Sequence, residues 1–74
     1  MKVITRTSEY ELTKDGEDFV LIKTALKEGC TSLVAVGRTF RSKDAYTAYG
    51  VLMVGNMNTS PIENLEEVER FLKS

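Results

Sequence analysis

The chain has 74 residues, 42% of them apolar and 28% charged, and its ten Lys+Arg against eleven Asp+Glu leave a net charge of −1. That mixture excludes a disordered polyelectrolyte, and the longest apolar runs (19–22, 33–36 and 51–54) fall far short of the roughly 18 residues that span a membrane. There is no His and only one Cys, so the usual neutral-pH base, an intrachain disulfide and a zinc cluster are all excluded.

Residues 2–13 read as a half-buried strand. Ile4, Ser8, Tyr10 and Leu12 make its more apolar side, Thr5, Thr7, Glu9 and Glu11 its polar side, and Arg6 is the exception. A turn at 14–17 follows, since Asp15-Gly16 accepts the positive φ of a tight hairpin. Residues 18–27 are apolar on both faces, which marks an interior strand. A two-residue loop sets Tyr10 beside Leu21 and a three-residue loop sets it beside Ile22; the sequence leaves both open.

Glu28-Gly29 ends that strand, and residues 32–41 make a third one around Leu33-Val34-Ala35-Val36, turning basic after Gly37. Residues 45–54 have two readings. Ala45, Ala48, Tyr49, Leu52 and Met53 share a helical spacing, but Gly50 would cost a helix about 1 kcal/mol. Tyr, Thr and Val favour strands, and the segment is read as a fourth strand. Ser60 as N-cap, Pro61 at the first helical position and Glu63 as partner of a capping box then start a helix. Its apolar side is Ile62, Leu65, Val68, Phe71 and Leu72.

The expected fold class is α+β: a four-stranded antiparallel β-meander followed by one C-terminal amphipathic helix (ββββα), with residues 1–74 as a single small domain. One helix covers one sheet face. Strands two, three and four carry apolar residues on both faces, so a curled sheet, a second copy or a partner must cover the other.

The sharpest local feature is a basic-aromatic stretch holding Arg38, Phe40, Arg41, Lys43 and Tyr46. Cations for phosphates and rings for bases are the requirements of nucleic-acid binding, although the slightly acidic chain speaks against it. Glu63, Glu66 and Glu67 give the helix an acidic face, which suits a basic partner or simply water. Cys30 has no His to activate it and reads as an incidental thiol. Glu9 and Glu11 share a strand face, but carboxylate-pair chemistry needs a cleft that a chain this small rarely encloses. Gly37, Gly50 and Gly55 fit no phosphate-loop spacing.

These features point to a non-enzymatic interaction protein that binds another protein, with itself as first candidate. It would be cytoplasmic, without cofactor, metal or membrane, and its size suits a bacterial or phage accessory protein or an inhibitor of a host factor. The alternative is a nucleic-acid-binding module using the sheet and residues 38–46. The order ββββα is similar, at the level of topology alone, to single-strand binders of the PUR and Whirly type. The two functions separate on Arg38→Glu with Arg41→Glu, which abolishes binding only in the second.

Overall fold

The computed structural model describes residues 1–74. Strands β1 (Lys2–Ile4), β2 (Ser8–Asp15), β3 (Asp18–Leu26) and β4 (Thr39–Ser42) form an antiparallel sheet in that order. Strands β5 (Ala45–Ala48), β6 (Val51–Val54) and β7 (Met57–Asn58) form a second antiparallel sheet, and helix α1 (Leu65–Lys73) closes the chain. A four-stranded antiparallel meander and a C-terminal helix are present as expected, but the meander is built from other segments and a second sheet stands beside it. Seven strands in two sheets stand where four in one were expected, so the likeness to PUR and Whirly topologies does not extend to the whole chain.

The core explains the division. Val3, Tyr10, Leu12, Phe19 and Leu21 from the first sheet meet Leu52 and Val54 from the second and Val68 from α1. Phe71 sets its ring edge-on to Phe19, with centroids 6.4 Å apart. A single helix of nine residues is only about 14 Å long. The second sheet therefore shares with α1 the work of covering the first.

The 2–13 segment breaks after Ile4 because Thr5 makes a turn. Its hydroxyl donates to the Ser8 carbonyl and accepts the Ser8 amide, at 2.9 and 3.0 Å. The break lets β1 fold back antiparallel on β2, with Val3 opposite Tyr10. The β2–β3 loop is Gly16-Glu17, one residue later than Asp15-Gly16, with Gly16 at φ +63°. That shift moves Tyr10 opposite Lys23, a register neither of the two expected ones contains. Phe19, Leu21 and Lys23, spaced by two along β3, face inward, while Val20 and Ile22 on the outer face are half-buried.

The third expected strand is mostly absent. Only residues 39–42 pair, with Phe40 opposite Leu21, and the apolar run 33–36 lies in a loop. That loop is nonetheless anchored. The Gly37 amide donates to the Lys23 carbonyl at 2.8 Å, the Arg38 amide to Ala35 at 3.1 Å, and the Lys23 ammonium to the Val34 carbonyl at 2.8 Å. Residues 45–54 are extended, as read, but they form a hairpin, not one strand. Tyr49 and Gly50 take φ of +54° and +78°, the primed turn whose twist suits a two-residue loop.

The helix begins at Leu65, five residues beyond Ser60, so the expected capping box is not formed. The reason is the edge of β1. The Pro61 carbonyl accepts the Arg6 amide, Ile62 bridges Thr5, and the Glu63 amide donates to Ile4. Residues 61–63 are thus drawn alongside β1 and cannot coil. Asn64 stands at the cap position, but its amide side chain is turned to the same edge, accepting the Ile4 amide at 2.9 Å and donating to the Lys2 carbonyl at 2.8 Å. The Ser60 hydroxyl instead meets that of Thr7 at 2.8 Å.

Candidate functional site

The basic-aromatic stretch does not form one surface. Phe40 is half-buried against the core, and the Arg38 guanidinium lies 5.4 Å from its ring centre. One residue on, alternation carries Arg41 to the opposite face of the sheet. There it reaches Asp15 at 2.5 Å and Asp18 at 2.9 Å. Its hydrogen bonds to those two carboxylates hold the Arg41 guanidinium above its ordinary pKa, so it is a fixed charge, already neutralised. Lys43 stands 3.4 Å from Glu17. Tyr46 belongs to the second sheet, opposite Met53, and is 52% exposed.

The acidic residues divide similarly. Glu63 precedes α1 and binds Lys27 at 2.8 Å, while Glu66 and Glu67 lie exposed in the first helical turn. Glu69, on the same helix, accepts the Thr47 hydroxyl at 3.1 Å and so ties α1 to β5. A shallow groove of about 470 Å³ runs from Glu63 to Arg70 along the helix. Cys30 is half-buried at the start of the 27–38 loop, its amide donating to Lys27. No three residues among His, Cys, Asp and Glu converge to hold a metal ion. No helix is long and apolar enough to cross a membrane.

Two features escape sequence reasoning. The first is the 33–36 run, where Leu33 is fully exposed and Val36 is 57% exposed. An alternating or continuous apolar run bounded by glycines carries the same signal whether it pairs as a strand or loops outward. The second is the free edge of β4. The edge of β1 is closed by residues 61–64, whereas β4 pairs with β3 alone. Beside its open side lies a groove of about 610 Å³, with Thr39–Ser42 as one wall and residues 54–57 as the other.

Hydrogen-bonding groups on that edge follow from the ladder. The Lys23 amide donates to the Arg38 carbonyl just before the ladder, which makes Leu21–Phe40 and Phe19–Ser42 its bonded pairs. Thr39 and Arg41, opposite Ile22 and Val20, occupy the alternate positions, and their amides and carbonyls point into the groove. The candidate site is therefore an open strand edge next to an exposed, anchored apolar loop. Such a site can pair a strand and bury apolar side chains; it holds no set of groups arranged for proton transfer or nucleophilic attack. Comparison with known proteins finds no family model, curated protein or solved structure that matches the chain.

Proposed function

We propose that the chain is a non-enzymatic protein-binding module, that its contact surface is the 33–36 loop beside the open edge of β4, and that its first partner is a second copy of itself. The carrying observation is Leu33, fully exposed next to half-exposed Val36 in a loop whose backbone is pinned by Lys23, Gly37 and Arg38. Single exposed apolar residues are ordinary. Two of them on an anchored loop, beside an unpaired strand edge, make a surface that gains by being covered. An accessory or inhibitory role, exerted by occupying a surface on another protein, belongs to this class. The nucleic-acid alternative finds less support, since Arg41 and Lys43 are engaged by Asp15, Asp18 and Glu17.

Light scattering coupled to size exclusion at micromolar concentration tests the reading. The expected mass is twice 8.3 kDa. Leu33→Asp with Val36→Asp returns a folded monomer, because neither side chain contributes to the core. A monomeric wild-type chain overturns the self-association. An oligonucleotide gel shift that is lost in Arg38→Glu with Arg41→Glu replaces the reading with nucleic-acid binding.

A further inference from the structure

We infer that two copies join by antiparallel pairing of β4 with β4 across a two-fold axis, in the register that sets Phe40 against Phe40 and Thr39 against Arg41. This inference rests on the self-association proposed above and specifies its geometry.

A β4 edge offers four outward backbone groups, the amides and carbonyls of Thr39 and Arg41. A second copy pairing antiparallel must present the same two residues, and a two-fold axis allows three short registers. Centring on Thr39 leaves the Arg41 groups without a β4 partner. Centring on Arg41 sets two guanidinium groups directly opposite each other, the arrangement sheets disfavour. Centring on Phe40 places Thr39 across from Arg41 twice over, so every outward group of both edges is bonded, with four interchain hydrogen bonds. Arg38 then faces Ser42, and no like charges are opposed.

The same register suits the side chains. Phe40 occupies the close, non-hydrogen-bonded position, where aromatic cross-strand pairs make their best contact. Its ring lies on the core side of the sheet, next to the groove wall that holds Val54 and Met57. Arg41 keeps Asp15 and Asp18 on the outer face, so pairing buries no unpaired cation. Four residues of edge fall short of the roughly 1,000 Å² of a stable interface. Leu33 and Val36, in the loop that leads into β4, supply exposed apolar surface towards the remainder.

Cysteine cross-linking reads the register directly. In a Cys30→Ser background, Phe40→Cys places the two thiol-bearing residues about 4.5 Å apart at Cα, within disulfide reach. Thr39→Cys places them about 8 Å apart, two residues of rise along the strand, and beyond it. Mild oxidation is expected to give a covalent dimer from Phe40→Cys and none from Thr39→Cys. Where Phe40→Cys fails to fold, mixing Thr39→Cys with Arg41→Cys keeps the test alive, because the mixture cross-links and neither variant does so alone. Equal cross-linking of all variants, or none, overturns the register.

Thr39→Pro removes an outward amide and leaves the β3–β4 ladder whole. It deletes two of the four interchain bonds at roughly fivefold each, so the dimer dissociation constant rises at least about 25-fold by light scattering. A wild-type dimer that Leu33→Asp dissociates and Thr39→Pro does not overturns the edge pairing while self-association stands. A monomeric wild type removes both.

Discussion

Lys23 is 1% exposed, and its ammonium has one hydrogen-bond partner, the Val34 carbonyl, for three donors. No carboxylate lies within ion-pair distance of it, since the six ion pairs engage other residues. Taking an ammonium out of water costs several kcal/mol after relaxation. One charged hydrogen bond returns about 1.5–3 kcal/mol. Desolvation wins, and Lys23→Met, which keeps most of the side-chain volume, is expected to stabilise the fold by about 1–2 kcal/mol. Val34 is half-buried, so its released carbonyl can turn to water. For a domain of this size each kcal/mol moves the melting temperature by roughly 4–8 °C, easily read by circular dichroism at neutral pH.

Lys23→Ala separates packing from charge. It removes the same ammonium but also about three methylenes, and it is about 2–3 kcal/mol less stable than the Met variant. Both substitutions release the 33–36 run from its anchor, so the Gly37 and Arg38 amides exchange hydrogen faster in each. The reasoning is refuted if Lys23→Met melts more than about 4 °C below wild type, which would make the ammonium a net stabiliser worth roughly 1 kcal/mol.

Asn64→Ala deletes the two side-chain hydrogen bonds that close the β1 edge and is expected to cost about 2 kcal/mol in urea unfolding. Asn64→Asp keeps the bond from the Ile4 amide, loses the donation to Lys2, and costs about half as much; equal costs for the two variants would contradict the bridging role. Burial pushes the Tyr10 phenol above its ordinary value of 10.0. The unfolded chain therefore releases that proton first, and stability drains away as pH climbs from about 10 towards the folded value. Urea midpoints across that range should fall more steeply in wild type than in Tyr10→Phe, and parallel curves would show that the phenol is not sequestered.

Several elements were open to direct reading because their signals are local. Asp15-Gly16 marked the first hairpin to within one residue, since only certain residues accept a positive φ. The alternation from Ser8 to Leu12 and the amphipathic spacing of Leu65, Val68, Phe71 and Leu72 held, because period and burial are the same fact seen twice. The candidate residues Arg38, Phe40, Arg41, Lys43 and Tyr46 are close in sequence but were divided by the pleat and by the corner between sheets. Adjacency along a strand sends neighbours to opposite faces, so a linear cluster is not a surface.

Competition between partners was settled only in three dimensions. Ser60, Pro61 and Glu63 carry every local signal of a helix start, yet the unpaired edge of β1 needed hydrogen bonds more than the helix needed another turn. The run 33–36 has strand composition, but β3 offers its edge to residues 39–42, and Leu33 and Val36 are left outside. Lys23, polar by identity, went inside because it lies two residues from Leu21 on the inward face of β3, opposite Tyr10. Composition and period determined which residues can form strands and helix. The tertiary structure decided which of them found a partner, since each edge is satisfied once and the chain closest to it takes the place.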